Sequence, residues 1–447
     1  MTIISILGAG RSCGPLIDYL AGHEDSNLWS LRVYDMNADM LSGKVGKHDS
    51  VKSYVMDLSD MGICDGIVAG SDIVVSMLPA FMHVPIAKLC ITHTKHMVTA
   101  SYASPEMKAL DAQVKEKNLC FINEVGVDPG IDHMSSMAIL EDLKQKGATI
   151  LSYESFTGGI LAPESPDNPW HYKFTWNPRN VVLAGAGGSV KFIQEGKYKH
   201  IPYNKLFRRT EFVDVPGYGR FEGYANRDSL KYIDIYGLQG IPTMYRGTFR
   251  RPGFCRAWDT FVKIGATDDS YQMEEVSIMT HRSFLNSFLA YHNTDSVELK
   301  LMHYLQVPQD SPIIEQLTWI GMLSDELVGL EGGTPAQILE HILKKVWTMT
   351  DEDVDMLIML HRIGYSIDGV QSRVESSMVV KGKSSNDTAM AFTVGYPVAI
   401  ATELVAKGKV SQRGVILPLK KELYEPILAG LATQGLRFDE RVIHVED

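Results

Sequence analysis

Three glycines near the start of the chain have the spacing of a turn that binds a dinucleotide. Gly8, Gly10 and Gly14 form a G-x-G-x-x-x-G pattern that follows an apolar run and precedes apolar residues at helical spacing. In such a strand–turn–helix unit, the first glycine permits the tight turn and the second lets the backbone approach the pyrophosphate. Cys13 stands at the third glycine position and is small enough for close packing. The pyrophosphate is expected at the helix N-terminus, and a glycine turn without a ligand is the alternative.

An aspartate ends the next apolar run at a position that selects the cofactor. Asp35 lies about 20 residues after Gly14, where a carboxylate binds the ribose hydroxyls of a dinucleotide. Because this carboxylate would repel a 2′-phosphate, we expect NAD, with NADP less favoured. Arg32 and Arg11 are the counter-argument, and a solvated turn aspartate is the alternative role of Asp35.

The composition excludes several classes of protein. The 447 residues include 45% hydrophobic and 22% charged residues, which is typical of a globular chain with two or three domains. The net charge of −11 argues against a nucleic-acid partner. Five scattered cysteines without C-x-x-C spacing predict neither a zinc site nor a disulfide framework. We see no signal peptide and no run near the ~20 apolar residues of a membrane span, so we expect a cytoplasmic protein without a membrane partner.

The apolar pattern indicates which elements position these residues. Predicted strands of the first part are residues 3–7, 28–34, 73–78, 96–100 and 119–122. They alternate with helical stretches, which predicts βαβ units and a parallel sheet. After about residue 150, short glycine-broken strands predict a large antiparallel sheet. Residues 355–360 and 372–381 are further predicted strands, and residues 394–406 a helix.

Seven further blocks have no simple explanation as core. They are residues 99–102 (TASY), 123–133 (NEVGVDPGIDH), 162–164 with 167–169 (APE, DNP), 172–176 (YKFTW), 226–229 (NRDS), 246–250 (RGTFR) and 394–397 (VGYP). In this order and spacing they resemble the glutamate-forming saccharopine dehydrogenases, also called saccharopine reductases. The resemblance extends over nearly the whole chain.

The resemblance implies an α/β fold with three parts. A Rossmann-type doubly wound parallel sheet would comprise residues 1–124 plus about 393–447. A second α/β domain, which binds substrate and dimerises, would comprise residues 125–294 plus about 355–392. A small helical domain would comprise residues 295–354. The expected assembly is a homodimer.

The resemblance also implies an oxidoreductase of lysine metabolism that acts on the CH–NH group of its donor. The expected reaction converts saccharopine, NAD(P) and water to glutamate, 2-aminoadipate 6-semialdehyde and NAD(P)H, with lysine degradation as the favoured direction. Hydride leaves the carbon beside the secondary amine, and the imine is hydrolysed. The alternatives are a related carboxylated-polyamine dehydrogenase and a non-catalytic NAD-binding regulator.

The chain departs from the family pattern at two places. Fungal biosynthetic members carry an arginine-containing strand end that suits NADP, whereas this chain has Tyr34, Asp35 and Met36, as in the NAD-using, lysine-degrading branch. The family's Y-C-G-G segment reads F-T-G-G at residues 156–159. A proton-transfer role for that cysteine therefore has no counterpart here.

Candidate substrate residues follow from the three carboxylates of saccharopine. The planar fork of arginine suits a carboxylate, and Arg227 and Arg250 lie in the matching blocks. Surface ion pairing is the alternative for both, and two such arginines argue against a polyamine substrate. Ser101 and Tyr102 follow a strand at its carboxyl end, where doubly wound sheets bind ligands. Thr248 completes this predicted site, and a rim aromatic is the alternative role of Tyr102.

Asp128 is the predicted general acid and base. It follows a strand in a turn rich in glycine and proline, and imine hydrolysis needs a group that accepts and returns protons. Tyr102 is the second predicted catalytic residue. Asp132 and His133 would form a dyad, but we expect Asp132 to cap a helix that begins at His133. If Asp128 only braces the turn, Tyr102 or His133 is the next candidate base.

The predicted cofactor site comprises the glycine turn and the neighbouring strand ends. Its residues are Gly8, Gly10, Arg11, Ser12, Cys13, Asp35, Met36, Leu78, Pro79, Ser101, Val125, Gly126 and Trp176. Trp176 is expected to cover the cofactor or substrate, with a core aromatic as the alternative. No metal is expected, because hydride transfer needs none.

Overall fold

The computed structural model describes residues 1–186 and 188–444, and their contacts divide them into two compact units. The first unit comprises Met1–Ala148 and Met378–Asp439. The second comprises Thr149–Ser377 and the described residues from Glu440 onward. These boundaries differ from the expected ones, because helix Ile131–Gln145 packs on helix Lys421–Thr433 in the first unit. Residues 295–354, expected as a third domain, group with the second unit.

The elements are numbered in chain order. Strands β1 to β16 are Thr2–Leu7, Trp29–Asp35, Lys52–Val55, Ile73–Ser76, His96–Val98, Cys120–Ile122, Thr149–Leu161, Val190–Gln194, Lys197–Ile201, Thr210–Val215, Gly219–Ala225, Thr243–Arg250, Asp355–Ile367, Val370–Lys381, Gly414–Ile416 and Asp439–His444. Helices α1 to α16 are Cys13–Gly22, Ala38–Val45, Met61–Ala69, Ala80–His93, Pro105–Lys108, Asp111–Glu116, Ile131–Gln145, Pro178–Val182, Lys231–Ile235, Phe254–Ile264, His281–Asn286, Val297–Leu305, Pro312–Trp319, Pro335–Trp347, Ala389–Ala406 and Lys421–Thr433. Short 3₁₀ turns are Ser26–Leu28, Tyr203–Arg208 and Val276–Ile278.

The first unit contains a seven-stranded parallel sheet in the order β15-β6-β5-β4-β1-β2-β3. All four residues of β4 are buried, as expected for a parallel strand that is covered on both faces. The strand order reverses between β1 and β4. Doubly wound sheets bind ligands at such a point, beyond the carboxyl ends of the strands. The predicted Rossmann-type fold is confirmed.

One described helix of the first unit, α15, passes the length and composition test for a membrane span. Its apolar window is 72% buried, and it packs on α1, α16 and the sheet. Core helices of soluble proteins pass the same test. The sequence reading missed this run because threonine, glycine and proline interrupt it. The helix also begins earlier than expected, since Thr388 caps it through a hydrogen bond from the Ala391 N–H.

The second unit contains a nine-stranded sheet with the central order β10-β11-β12-β7-β13-β14-β16. Strand β8 pairs with β12 and β9. The pairs β10–β11, β11–β12 and β7–β13 are antiparallel, whereas β7–β12 is parallel. The sheet is therefore mixed, where the sequence predicted an antiparallel one. The predicted strand at residues 355–360 continues to Ile367, because β13 pairs along β7 over most of its length.

Candidate active site

The glycine turn of the first unit has the backbone that the sequence predicted. Gly8 has φ +94°, and a Cβ there would meet the Met77 carbonyl oxygen at 2.9 Å, so only glycine fits. A Cβ at Gly10 would meet no atom within 4 Å, which leaves open space for a ligand to approach the backbone. The Cys13 thiol donates to the Gly8 carbonyl oxygen at 2.8 Å. Burial raises the pKa of this thiol to about 12, so it stays protonated and packs the turn.

Asp35 lies beside this turn at the end of β2. Its Oδ2 accepts the Ala9 N–H at 2.7 Å, and its Oδ1 accepts the Asn37 N–H at 2.8 Å. These bonds fix a half-buried carboxylate beside the glycine turn. Arg32 donates instead to the Gly70 carbonyl oxygen at 3.4 Å. The open glycine and the fixed carboxylate together fit a dinucleotide.

The remaining cofactor candidates of this unit lie at several depths. Met36 is 70% exposed, Arg11 and Pro79 are also exposed, and Leu78 is half-buried. The side chains of Val125 and Cys13 are fully buried, so any ligand contact they make is through the backbone.

Two predicted catalytic residues lie together in the first unit. The Tyr102 hydroxyl donates to Asp128 Oδ1 at 3.4 Å, and both side chains are half-buried. Asp128 precedes Pro129 through a cis peptide bond. This pair places a carboxylate and a phenol beyond the carboxyl ends of β5 and β6.

The sequence reading missed a buried carboxylate that holds the segment around Tyr102. Glu124 has φ +57° and donates its N–H to the Ser101 carbonyl oxygen at 3.0 Å. Its Oε1 accepts the Ala103 N–H at 3.0 Å, and its Oε2 lies 2.9 Å from His133 Nε2. Glu124 thus contacts the residues on both sides of Tyr102. Glu124 and its partner His133 both lie in the block at residues 123–133, but the sequence did not indicate that their side chains meet.

The expected role of Asp132 is wrong in detail. Helix α7 begins at Ile131 after Gly130, so Asp132 lies inside the first turn rather than before the helix. Its Oδ1 accepts the Gly130 N–H at 2.6 Å. The buried ring of His133 has Glu124 as a partner at its Nε2, a contact that the sequence did not indicate.

His83 is a second residue that the sequence reading missed. It lies in the first turn of α4, is 4% exposed, and bridges two serines. Its Nδ1 is 2.8 Å from Ser76 Oγ, and its Nε2 is 2.8 Å from Ser101 Oγ. Burial lowers the pKa of His83 to about 4, so the ring is neutral at neutral pH. Ser101 is therefore held by a buried side chain.

The second unit holds Arg250 in a cage of aromatic rings. Arg250 ends β12 and is 4% exposed. Its guanidinium carbon lies 5.1 Å from the ring centre of Tyr172, 5.3 Å from Phe254 and 5.8 Å from Tyr224. One Nη donates to the Phe249 carbonyl oxygen at 2.9 Å, whereas Nε has no hydrogen-bond partner among the described residues. A buried cation in this state is costly unless an anion joins it.

The other substrate candidates of the second unit are more exposed. Arg227 follows β11, is exposed, and has φ +48°, a conformation that non-glycine residues rarely adopt. Thr248 is half-buried on β12 and is in register with Thr157 of β7. Thr157 stands where the family has a cysteine, so a hydroxyl replaces a thiol beside Thr248. Trp176 is half-buried in this unit.

Two family models match almost the whole chain. The saccharopine dehydrogenase NADP binding domain matches residues 4–122, and the saccharopine dehydrogenase C-terminal domain matches residues 126–436. The chain belongs to the saccharopine dehydrogenase family. The resemblance that the sequence blocks indicated is confirmed, and membership together with the glycine turn supports a nucleotide cofactor.

Curated relatives and a solved structure agree with this family. The mouse mitochondrial alpha-aminoadipic semialdehyde synthase is 32% identical over 445 residues, which are 98% of this chain and 47% of that protein. The chain thus spans about half the length of the mammalian relatives. The saccharopine dehydrogenase [NADP(+), L-glutamate-forming] of Saccharomyces cerevisiae is 30% identical, covering 98% of this chain and 99% of that one. The apo structure of the L-Glu-forming saccharopine dehydrogenase from Saccharomyces cerevisiae superimposes with a TM-score of 0.88 at 28% identity, over 99% of this chain and 100% of that one.

Proposed function

We propose that the chain oxidises saccharopine to glutamate and 2-aminoadipate 6-semialdehyde with a nicotinamide dinucleotide and water. The observation that carries this proposal is Arg250. A guanidinium that is 4% exposed and lacks a partner at Nε among the described residues needs an anion, and a carboxylate of the substrate supplies one. Exposed Arg227 in its strained backbone conformation is the second proposed carboxylate ligand.

Asp128 is the proposed proton-transfer residue, and Tyr102 is the proposed residue that positions it. The bound dinucleotide supplies a nicotinamide ring that accepts hydride from the substrate carbon beside the amine. Asp128 then takes a proton from the water that adds to the imine and returns it to the glutamate nitrogen as the C–N bond breaks. The Tyr102 hydroxyl, 3.4 Å from Asp128 Oδ1, orients this carboxylate. One substrate, one oxidised cofactor and one water give glutamate, the semialdehyde, the reduced cofactor and one proton.

We propose NAD as the preferred cofactor, although the matching family model and the fungal relatives carry NADP in their names. Asp35 is fixed beside the glycine turn by the Ala9 and Asn37 N–H groups, and its carboxylate would repel the added phosphate of NADP. Arg32, the nearest counter-charge in sequence, bonds to Gly70 instead. We expect kcat/KM for NAD to exceed that for NADP at least ~10-fold, which corresponds to about 1.4 kcal/mol.

The test is the formation of reduced cofactor with saccharopine as substrate, followed by absorbance in parallel reactions with NAD and NADP. Asp128→Asn should bind both ligands but lose ~10²–10⁴-fold in kcat, as expected for a general acid–base residue. Near-normal kcat with a lower melting temperature would leave Asp128 only a structural role in the turn before Pro129. Dinucleotide binding without turnover would favour a non-catalytic regulator, and faster turnover of a carboxylated polyamine would favour the related dehydrogenase.

A further inference from the structure

Ser76, His83 and Ser101 form a hydrogen-bonded chain at the carboxyl edge of the parallel sheet. Ser76 ends β4, Ser101 follows β5, and the ring of His83 spans the gap between them. Both nitrogen–oxygen distances are 2.8 Å, which is normal for hydrogen bonds. The chain of three residues extends from the buried core to the half-buried Ser101.

The positions of the protons on Ser76, His83 and Ser101 follow from the hydrogen bonds that each buried group must make. Ser76 is fully buried, and His83 Nδ1 is the one partner of its hydroxyl among the described residues. If Nδ1 carried a proton, the Ser76 proton would be buried without an acceptor, at a cost of about 1–3 kcal/mol. Ser76 therefore donates to Nδ1. The neutral ring then carries its proton on Nε2 and donates it to Ser101 Oγ.

The consequence falls on Ser101. Its oxygen already accepts the His83 proton, and no described residue accepts the proton of its own hydroxyl. We propose that His83 is a positioning residue that sets Ser101 as a hydrogen-bond donor to a ligand oxygen at this edge of the sheet. That oxygen belongs to a carboxylate of the substrate or to the carboxamide of the dinucleotide. This inference rests on the proposed function and adds the direction of one hydrogen bond to it.

The test is a double-mutant cycle on the full chain with Ser101→Ala, His83→Gln and the double variant. Losing one neutral hydrogen bond costs about 1 kcal/mol, so Ser101→Ala should raise one KM by ~3–10-fold. His83→Gln should raise the same KM when Ser101 is present, and leave it unchanged, within about 1.5-fold, when it is added to the Ser101→Ala variant. A rise in the KM of saccharopine assigns the oxygen to the substrate, and a rise in that of the dinucleotide assigns it to the cofactor.

Two further variants keep the test decisive. His93→Gln, on the same helix and hydrogen-bonded to Asp65, should leave both KM values unchanged. Ser76→Ala, which removes the donor to Nδ1, should raise the same KM as His83→Gln, and it replaces that variant if His83→Gln does not fold.

Two outcomes overturn the inference. One is an equal effect of His83→Gln with and without the Ser101→Ala substitution, because the histidine would then act independently of the serine. The other is a His83→Gln variant with a lower melting temperature and no change in the KM of either saccharopine or the dinucleotide. If the wild-type chain does not turn saccharopine over, the proposed function fails. The same cycle is then measured on the Kd of NAD, where additive effects of the two substitutions would reject the inference.

Discussion

At the scale of single residues, Arg250 has a chemistry that conflicts with its surroundings. Its charge lies among aromatic rings that stabilise a cation by about 0.5–2 kcal/mol, which is less than the desolvation cost of a buried ion. The free protein therefore retains this arginine at a cost in stability. Functional sites commonly show such a conflict between stability and activity.

Arg250→Met should separate these two effects. An apolar side chain of similar length removes the buried charge, so we expect the free energy of unfolding to rise by about 1–2 kcal/mol. The same change should raise KM for saccharopine at least ~100-fold, since a hydrogen-bonded charge pair is lost. Urea unfolding and steady-state kinetics measure the two quantities. Arg250→Lys serves as the control that keeps the charge but loses the planar fork. A less stable Met variant would mean that the arginine is satisfied without a ligand.

The neutral state of His83 predicts a pH dependence of stability. Burial lowers its pKa from 6.5 to about 4 in the folded chain, so the unfolded chain binds the extra proton between these values. The contribution of neutral His83 to the free energy of unfolding is complete above pH 6.5. It is lost as the pH falls towards 4, because the unfolded chain then binds a proton that the folded chain does not. Between pH 7.5 and 5, wild type should lose about 2 kcal/mol relative to His83→Gln. Parallel urea midpoints for the two proteins across this range would contradict the prediction.

At the scale of elements, the sequence predicted the features that depend on residues near one another in the chain, and it missed those that depend on distant residues. The geometry of the glycine turn and of Asp35 could be predicted because it depends on neighbours in the same βαβ unit. Glu124 and His83 could not, since the role of Glu124 depends on a left-handed backbone and on the register of α7. The role of His83 depends on the position of α4, which sets the imidazole ring between Ser76 and Ser101. The block pattern located Arg250, but its burial among aromatic rings depends on long-range packing.

Helix α15 packs against α1, the helix that follows the glycine turn. Gly395 allows the two helices to approach closely. A Cβ on Gly395 would meet the Ser12 carbonyl oxygen at 2.6 Å and the Leu16 nitrogen at 3.0 Å. We expect Gly395→Ala to push α15 away from α1, to cost about 1–3 kcal/mol and to weaken NAD binding several-fold. Gly66→Ala on α3 is the matched control, because a Cβ there meets nothing within 4 Å and should stabilise by about 0.5–1 kcal/mol. Urea unfolding and NAD titration provide the comparison, and equal stability of the two variants would contradict this account.

At the scale of the whole molecule, the first unit is discontinuous in sequence. Its sheet is completed by β15, which pairs with β6 although almost 300 residues separate them. The predicted first segment ends at residue 124, whereas the contacts group residues up to Ala148 with this unit. The added helix α7 packs on α16, which is a long-range contact that the sequence pattern does not show.

A chain that ends at residue 377 should fail to bind a dinucleotide. It retains the glycine turn, Asp35 and Ser101 but lacks β15, α15 and α16. The uncovered face of α1 and the open edge of β6 should make the fragment insoluble or partly folded. Soluble yield and NAD titration against the full chain measure this. A soluble fragment that binds NAD normally would show that the returning segment is dispensable for the turn.

During synthesis on the ribosome, the two segments of the discontinuous first unit emerge at different times. The first six strands and α1 emerge before the second unit, and the segment that covers them follows only after roughly 230 residues of that unit. At about 5–20 residues per second, the nascent sheet waits some 10–50 s with its apolar helix face uncovered. Exposed apolar surface of this kind is prone to aggregate, so we expect slower elongation to lower the soluble yield of the chain.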